Sequence, residues 1–350
     1  MLPFISVILP VRNERGMLPK LLDELLRQNY PADRFEILVV DGRSTDGTAD
    51  LVRRRYTTKQ VRVRVLDNPA VHASAGRNIG IRAAVGDVIL FIDGHCTIPS
   101  RNLLEDTAAI LAQTGAGCLC RPQPLLAPSD THTGEVIAQV WGADARNKNC
   151  GFVDPVNGGA TYRRDVFSRV GLFDENFDAC EDVEFNTRVR KAGIRAYTDP
   201  RLAIHYQPRR DVRALVQQMI RLGRGRVRLM RKHADAVARA ELAPIVALAL
   251  LVLTPIAWAT LSRPAAQVAS IPLALLIAAM LFASIRLGVR HGIGSAWKAP
   301  SIYAGICCGL GTGLLLEMIT PARRSAELPA LAVVQPVGQI EEAEEMERAA

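Results

Sequence analysis

Aromatic residues and ordered cysteine patterns are scarce in this sequence of 350 residues. Phe, Trp and Tyr make up 5% of it, and no aromatic-studded RNA motif, zinc-finger spacing or recognition-helix signature accompanies the net charge of +8. We therefore expect no nucleic acid among its partners. The seven cysteines are odd in number and have no repeated spacing, which is typical of a reducing compartment and argues against a disulfide-rich secreted fold.

The amino terminus lacks the basic leader and the small-residue cleavage site of a signal peptide. Its residues "MLPFISVILPV" run directly into the polar "RNE", so we expect a strand there and no signal peptide. Charged residues are absent from three apolar runs in the last third of the chain, at 242–262, 264–285 and 299–316. Because about 20 apolar residues cross a bilayer, the sequence predicts a soluble catalytic part followed by membrane helices.

The basic residues indicate how the chain is oriented. Those at 286, 290 and 298 lie between the second and third apolar runs, and only Arg263 lies between the first and second. The positive-inside rule then places the catalytic part in the cytoplasm. If the third run also spans, Arg323 and Arg324 end on the outer side, against the rule. The first two runs are therefore predicted to span, and a re-entrant hairpin is the alternative for the third.

A basic segment precedes the first apolar run. It extends from Asp211 to about Arg239, and its apolar residues include Leu215, Met219 and Leu222 at helical spacing. A basic amphipathic helix next to an apolar span is typical of a helix that lies on an anionic membrane surface. The alternative is a solvated helix packed on the catalytic domain.

Residues 4 to about 125 alternate short β-rich runs with helical segments, the pattern of a parallel sheet with crossover helices. Strands are predicted in "FISVILPV", "FEILVVDG", "VRVRVL", "DVILFIDG" and "AGCLCR". Helices are predicted in "GMLPKLLDELLRQ", "TDGTADLVRRR" and "ASAGRNIGIRAA", and residues 150–210 form a mixed segment. The fold class is therefore α/β.

Polar residues gather where the predicted strands end. They are Arg12, Asn13 and Glu14 after the first strand, Asp41 after the second, and Asp93 with His95 after the fourth. Ligands of parallel sheets bind outside the carboxyl ends of the strands. The sequence therefore predicts a binding site at this edge, although the edge of any sheet must be polar.

The stretch "DVILFIDGHCTIP" at residues 87–99 is an apolar strand that stops on a carboxylate and an imidazole. If the strand continues, Asp93 and His95 are two residues apart and project to the same side, where both could bind a metal ion. The alternative is that Asp93 caps the strand, Gly94 makes a turn and His95 is an ordinary loop residue.

A helix is predicted to begin at Glu181 and Asp182 and to end at Gly193, a residue suited to a helix C-terminus. The helix dipole stabilises negative charge at a helix start. A simple capping role is therefore an alternative to a chemical role for this carboxylate pair.

Five segments arrive in the order and at the approximate distances found in family 2 glycosyltransferases: "VILPVRNE", "VVDGRSTDGT", "AGRNIG", "LFIDGH" and "CEDVEFNTRVRKAG". The resemblance covers residues 4 to about 210 and implies the GT-A nucleotide-sugar-binding fold, a mostly parallel sheet with flanking helices. The sequence resembles the bacterial branch that builds exopolysaccharides, such as the succinoglycan-type β-glucosyltransferases, whose members also carry a few carboxyl-terminal membrane segments. It therefore implies the bacterial inner membrane, with the catalytic domain facing the cytoplasm.

The resemblance implies roles for individual residues of the donor site. Pro10, Arg12 and Glu14 line the nucleoside pocket, Asp41 hydrogen-bonds the base, and Arg77 meets the diphosphate. A carboxylate that accepts from a ring N–H, and a guanidinium that forks onto phosphate oxygens, are physically suited to these tasks.

The same resemblance places a metal signature, Asp-x-Asp, at Asp93, but here the second position is His95. A divalent cation, Mn²⁺ or Mg²⁺, would stabilise the charge that develops on the leaving diphosphate, and an imidazole ligand favours Mn²⁺. His205 is a further candidate ligand, because related enzymes often return a histidine to the metal after the acidic helix. A buried structural histidine is the alternative.

Asp182 matches the catalytic base of the family, which takes the proton of the acceptor hydroxyl during a single inverting displacement. Glu181, Gln218 and Arg221 are assigned to the acceptor or membrane side. The usual Asp-Asp-Gly-Ser of the family appears here as Asp41, Gly42, Arg43 and Ser44. The second carboxylate is therefore missing, and Arg43 is a candidate for a phosphate contact.

The processive synthases of the family carry Gln-x-x-Arg-Trp, but here Gln218 and Arg221 are followed by Leu222. Long-chain synthesis coupled to export is therefore not expected.

The expected organisation has four parts. Residues 1–210 form the GT-A catalytic domain, 211–241 the basic interfacial helix region, 242–320 the membrane segments, and 321–350 a disordered acidic tail. The enzyme is expected to transfer a hexose from a nucleotide-sugar donor, with UDP-glucose as the candidate, to a lipid-linked saccharide. Membrane lipid is a further expected partner. The alternatives are a polyprenyl-phosphate glycosyltransferase and a non-catalytic membrane scaffold that only binds the nucleotide sugar.

Overall fold

The computed structural model describes residues 2–56, 60–126, 131–141, 149–236 and 243–321. They divide into two compact units. The first unit contains the described residues of 2–123 and 149–205, and the second contains those of 124–141 and 206–321. The four-part division at residues 210, 241 and 320 stays a prediction, and the predicted acidic tail from residue 322 onward lies outside the described residues.

The first unit is built on an eight-stranded sheet with the order β3-β2-β1-β4-β8-β6-β9-β7. Its strands are β1 Ile5–Val11, β2 Phe35–Asp41, β3 Arg62–Asp67, β4 Val88–Phe91, β6 Cys118–Cys120, β7 Gly151–Val153, β8 Gly159–Arg163 and β9 Ala196–Thr198. The first four are parallel to one another, and β8 joins β4 and β6 as an antiparallel strand. The mostly parallel sheet predicted from the sequence is therefore confirmed. Two short strands, β5 Cys96–Thr97 and β10 His205–Tyr206, lie outside it.

The segments predicted to be helical contain α1 Leu18–Leu25, α2 Thr48–Arg55, α3 Ala73–Ala83 and α7 Glu181–Lys191. The helices α4 Leu103–Thr114 and α6 Asp165–Val170 also belong to this unit and were not predicted. The apolar β1 and β2 are buried along almost their whole length, because helices cover both faces of a parallel sheet. Gly80 lets α3 approach β1 closely, since an added β-carbon would clash with the side chain of Ile8.

An aromatic cluster supports the end of β4. Phe91 meets Phe173 edge-on with 5.4 Å between ring centroids, and Phe173 stacks on Phe185 at 4.4 Å. Such pairs add stability beyond simple area burial. The cluster therefore gives a firm base to the residues that follow β4.

The second unit is helical. Its helices are α5 His132–Trp141, α8 Val212–Lys232, α9 Ala243–Thr260, α10 Arg263–His291 and α11 Ile293–Ile319. Asp211 caps α8 by accepting a hydrogen bond of 2.8 Å from the Ala214 N–H. Three of these helices, α9, α10 and α11, are long and apolar enough to cross a membrane.

Helix α11 differs from the other two candidate spans. Of its most apolar 18-residue segment, 39% is buried within the protein, whereas the corresponding share is 6% for α9 and 6% for α10. It packs along α8 through Gly309, whose added β-carbon would lie 2.6 Å from the Met219 Cβ, and through Gly313, which faces the Ile220 carbonyl oxygen. At its end, Glu317 accepts hydrogen bonds of 2.8 Å from both Arg224 and Arg228.

Candidate active site

The loops after β1 and β2 are joined side by side. The Gly42 N–H donates to the Val11 carbonyl at 2.8 Å, the Asn13 N–H to Ser44 Oγ at 2.8 Å, and the Glu14 N–H to Thr48 Oγ1 at 3.0 Å. These bonds fix the polar residues predicted at the strand ends.

Asp41 lies at the end of β2 and is 6% exposed. Its Oδ2 accepts from the Ser44 N–H at 3.0 Å, and its buried Oδ1 has no hydrogen-bond partner among the described residues. A buried acceptor without a partner is costly. Asp41 therefore retains an acceptor suited to an N–H donor of a ligand, as its predicted role requires.

The prediction that Asp93 and His95 project to the same side of one strand is wrong. Strand β4 ends at Phe91, and the Cys96 N–H donates to the Asp93 carbonyl at 3.0 Å, which closes a turn. Within that turn the alternation of a strand does not apply. His95 Nδ1 lies 3.1 Å from Glu14 Oε1, whereas an Asp93 Oδ1 lies 3.6 Å from Arg77 Nη2.

Gly94 makes this arrangement possible. An added β-carbon would lie 2.9 Å from Val11 Cγ1 and 3.0 Å from Glu14 Cγ. The turn after β4 therefore packs directly against the residues that follow β1, which only glycine permits at this position.

Arg77 projects from α3 into a cluster of acidic side chains. Its Nη1 donates to Glu181 Oε1 and its Nη2 faces Asp93. The guanidinium also lies over the rings of Phe91, at 5.8 Å, and Phe173, at 5.4 Å. The sequence predicted Arg77 for the diphosphate, and here two carboxylates hold it.

The buried ion pair shifts both of its members. Burial alone disfavours the Arg77 cation, but the charges of Glu181, then Asp93 and Asp182, outweigh burial and raise the pKa of Arg77. Burial raises the pKa of Glu181, with Arg77 opposing and the charge of Asp182 adding to the increase. The pair therefore depends on each partner for its charge.

Asp182 is exposed, although it neighbours the buried Glu181 in the first turn of α7. The helix begins after Cys180, whose φ of 62° is in the left-handed region. Asn13, Arg43 and Val71 also have positive φ, and this conformation is strained for a β-branched residue such as valine. Strained residues cluster at functional sites, and Asn13, Arg43 and Cys180 each lie within two residues of a predicted site residue in sequence.

One cleft of the first unit collects three of the predicted residues. It is lined by Arg77, Phe91, Asp93, Arg121, Gln123, Gly158, Gly159, Ala160, Tyr162, Phe173 and Asp182. An exposed carboxylate, a second carboxylate and two guanidinium groups therefore share one concave surface. Such a surface can bind an anionic ligand and accept a proton from a bound hydroxyl group.

Arg121 is a charged cleft residue that was not predicted from the sequence. It follows β6 directly, in the predicted strand "AGCLCR", and is 4% exposed. A cation at the carboxyl end of a strand was the signal that could have identified it, by the same rule that selected Asp41.

The other predicted site residues lie outside this cleft lining. Pro10 is part of β1, Arg12 is exposed beyond it, and His205 begins β10. Gln218 and Arg221 belong to α8 in the second unit, where Gln218 Oε1 accepts from Arg209 Nε at 3.1 Å. Their predicted functional roles stay predictions.

The described residues contain no group of three His, Cys, Asp or Glu side chains arranged to hold a metal ion. Asp93, His95 and His205 are therefore not assembled into one ligand set, and His95 faces Glu14. Asp93 alone of the three lines the cleft. A Mg²⁺ or Mn²⁺ ion held by one carboxylate and the phosphates of a substrate fits this arrangement.

Comparison with known proteins relates the chain to a sequence family. The model of the family described as glycosyl transferase family 2 matches residues 6–171. The succinoglycan biosynthesis protein ExoA of Rhizobium meliloti is 29% identical over 300 residues, 82% of this chain and 87% of that protein. The glycosyltransferase AglE of Haloferax volcanii is 28% identical over 256 residues, 72% of this chain and 81% of that protein.

A third relative is the Methanococcus voltae dolichyl N-acetyl-alpha-D-glucosaminyl phosphate 3-beta-D-2,3-diacetamido-2,3-dideoxy-beta-D-glucuronosyltransferase, 26% identical over 249 residues. The alignment covers 65% of this chain and 74% of that enzyme. Among solved structures, the mannosyltransferase PcManGT from Pyrobaculum calidifontis, in complex with GDP-Man and Mn²⁺, has a TM-score of 0.62 at 22% identity. It covers 91% of this chain and 88% of that chain, and the likeness shows the GT-A fold.

Proposed function

The chain carries a glycosyl transferase family 2 domain and is a glycosyltransferase, and we propose that it transfers a hexose from a nucleotide sugar to a lipid-linked saccharide. The observation that carries this proposal is the cleft in which the exposed Asp182 faces the same space as Asp93 and Arg121. UDP-glucose is the candidate donor. The relatedness to a succinoglycan biosynthesis protein supports a place in exopolysaccharide synthesis.

Asp182 is proposed to take the proton from the acceptor hydroxyl as that oxygen attacks the anomeric carbon. Its exposure in the cleft supports this role, because a general base must reach the proton it removes. A single displacement inverts the anomeric centre. An α-linked sugar nucleotide therefore yields a β-glycoside.

Glu181 is proposed to position Asp182 through its buried contact with Arg77. Its side chain turns away from solvent and pairs with Arg77, which anchors the first turn of α7 to α3. Asp182, one residue later, then remains free to face the cleft. This division of tasks explains why two adjacent carboxylates have opposite exposure.

Asp93 is the residue proposed to hold a divalent cation, with His95 held away by Glu14. The ion would neutralise charge on the departing diphosphate. The GDP-Man and Mn²⁺ bound to the mannosyltransferase with the same fold support this assignment. Arg77 is proposed to meet the diphosphate through Nη2, which faces Asp93, while its Nη1 keeps the hydrogen bond to Glu181.

A lipid-linked saccharide is favoured over a bare lipid phosphate as acceptor. The name of the Methanococcus voltae relative specifies a sugar already linked to dolichyl phosphate. The exposed Asp182 also supports a hydroxyl acceptor, because a phosphate acceptor is already ionised and requires no base. The accessible carboxylate argues against a scaffold that only binds the nucleotide.

The membrane arrangement proposed is a hairpin of α9 and α10, with α11 lying at the surface on the cytoplasmic side. Helix α8 carries seven Arg or Lys residues, each of which costs about 2.5–3.5 kcal/mol at the centre of a bilayer. Helices α8 and α11 run side by side in the same direction, from Val216 beside Gly305 to Arg228 beside Glu317. A helix that stays out of the hydrocarbon region therefore keeps this part of α11 out as well.

A donor screen by calorimetry tests the proposed function. The purified full chain is titrated with UDP-glucose, UDP-glucuronic acid and GDP-mannose, with and without Mn²⁺. We expect one of these donors to bind more tightly with Mn²⁺ and to lose that enhancement in Asp93→Ala. Asp50→Ala, which removes an exposed carboxylate on α2, is the matched control. Absence of binding by all three donors would contradict the proposal.

A further inference from the structure

Arg121 is a buried cation with most of its hydrogen-bonding capacity unused. Its Nη2 donates to the Phe91 carbonyl oxygen. Its Nε and Nη1 are buried and have no hydrogen-bond partner among the described residues. A buried guanidinium in this condition is costly to the fold unless a ligand completes it.

Other arginines near the sheet are satisfied by the protein itself. Arg164 donates from Nε to the Gly86 carbonyl at 2.6 Å and from Nη2 to the Ala84 carbonyl at 2.8 Å. Arg188 uses all three nitrogens on Glu184 and two backbone carbonyls. The fold can therefore complete a half-buried arginine, and it leaves the more deeply buried Arg121 incomplete inside the cleft.

The position of Arg121 indicates which part of a donor it meets. It lines the cleft together with Asp93, the residue proposed for the cation, and Asp182, the residue proposed as base. The transferred sugar must lie between these two, because its anomeric carbon is bonded to the diphosphate and is attacked by the acceptor that the base deprotonates. Burial lowers the pKa of Arg121, so its charge is maintained against a desolvation cost that oxygen ligands would reduce.

We propose that Arg121 binds the transferred sugar of the donor, with Nε and Nη1 donating to two of its oxygens. The proposal rests on the proposed function and adds a residue that selects the sugar. The oxygens belong either to hydroxyl groups of a neutral hexose or, in a uronic acid, to the carboxylate and a hydroxyl group. Because Nε–H and Nη1–H point from opposite edges of the planar guanidinium, each donates to a separate oxygen.

The test compares binding of the sugar with binding of the nucleotide alone. Calorimetry in Mn²⁺ measures the affinity of the wild-type chain, Arg121→Gln and Arg121→Lys for UDP, UDP-glucose and UDP-glucuronic acid. We expect Arg121→Gln to weaken the better nucleotide sugar by about tenfold or more, while the affinity for UDP changes less than about twofold. If Arg121→Gln loses affinity for UDP-glucose, the ligands of Arg121 are sugar hydroxyl groups. If only the affinity for UDP-glucuronic acid falls, the ligands include its carboxylate.

Two further variants separate binding from folding. Arg121→Lys keeps the charge but has a single donor nitrogen, which cannot occupy the positions of both Nε and Nη1. We therefore expect the same selective loss in a chain that unfolds near the wild-type temperature. Arg164→Gln removes a half-buried, fully hydrogen-bonded arginine of the same unit that does not line the cleft, and it should leave all three affinities unchanged.

Equal weakening of UDP and its sugars, or unchanged binding in both Arg121 variants, would overturn the inference while the proposed function stands. A wild-type chain that binds none of the three nucleotides and no GDP-mannose would overturn both. If GDP-mannose alone binds, the same comparison is made between GDP and GDP-mannose.

Discussion

Asp182 is exposed in the cleft, and its neighbour Glu181 is buried against Arg77. Replacing Asp182 by Asn keeps the size and polarity of the side chain but removes the base. We expect kcat to fall by about 10²–10⁴-fold, because general-base catalysis contributes about this much. Donor affinity should remain within about twofold, as checked by calorimetry beside the transfer assay. Asp178→Asn, in the loop before α7, is the control. Retention of full turnover in Asp182→Asn would contradict the role of a base.

The Arg77 and Glu181 pair makes a pH-dependent prediction. Arg77→Met leaves buried Glu181 without its cation, and breaking a buried pair in this way costs about 3–5 kcal/mol. Burial already raises the pKa of Glu181, and loss of Arg77 raises it further. A carboxyl with a raised folded-state pKa is most favourable to stability below its unfolded value and loses that contribution as pH rises through the folded pKa.

We therefore expect Arg77→Met to unfold at a lower temperature than the wild type, with a deficit that is larger at pH 8 than at pH 5. Thermal unfolding of the detergent-solubilised chain measures both. The double variant Arg77→Met with Glu181→Gln removes the stranded charge and should recover part of the loss at pH 8. A deficit independent of pH would show that packing of the arginine stem, rather than charge, dominates.

The positions of individual candidate residues were predictable where a strand end fixed them. Asp41 follows from the apolar run before it, and its unpartnered oxygen agrees with a binding role. The separation of Asp93 from His95 was not predictable from alternation, because the strand stops at Phe91 and a turn begins. The pairing of Arg77 with Glu181 joins residues 104 positions apart, and local sequence carries no signal for such a contact.

Strands and helices with a clear local sequence pattern were predictable, whereas short strands defined by distant partners were not. The parallel strands β1 to β4 and helices α1 to α3 were predicted, since each has a distinct apolar period and local turn residues. The mixed segment 150–210 was not resolved into strands, because β7, β8 and β9 have five residues or fewer. Such strands become recognisable only through their partners, such as β8 between β4 and β6.

The contact of α8 with α11 depends on particular glycines. An alanine at Gly313 would place a methyl group against the Ile220 carbonyl oxygen of the facing backbone, whereas at Gly305 it would lie 3.2 Å from a movable Val216 methyl group. We expect Gly313→Ala to lower stability by about 1–3 kcal/mol. Gly305→Ala should be neutral or slightly stabilising, because alanine favours a helix over glycine by about 1 kcal/mol. Thermal unfolding of both variants in detergent measures the two stabilities. Equal changes in Tm for Gly313→Ala and Gly305→Ala would contradict the packing argument.

The placement of α11 determines on which side the chain ends. If α9 and α10 are the two spans, residues after α11 are cytoplasmic, and Arg323 and Arg324 obey the positive-inside rule. We expect a carboxyl-terminal green fluorescent protein to be fluorescent in bacteria and a carboxyl-terminal alkaline phosphatase to be inactive. A fusion after Ser262, between α9 and α10, should give the opposite pair of results. An active phosphatase at the carboxyl terminus would show that α11 spans.

At the scale of the molecule, donor binding should stabilise the first unit, because its cleft is lined entirely by residues of that unit. A ligand that binds only the folded state at 100 times its Kd contributes about 2.7 kcal/mol. For a unit of this size each kcal/mol corresponds to about 2–4 °C in Tm, so we expect an increase of about 5–11 °C with the preferred donor and Mn²⁺.

Chelation of Mn²⁺ should remove much of this increase, because the ion that Asp93 is proposed to hold would no longer neutralise the diphosphate. The Asp93→Ala variant lacks the proposed carboxylate ligand. In this variant the donor should therefore raise Tm by nearly the same amount with Mn²⁺ as with the chelator. The matched control is Asp50→Ala, which should behave as the wild type. If the chelator leaves the increase in Tm intact, the cleft binds its donor through arginine and backbone groups alone, and the role of Asp93 as a metal ligand fails.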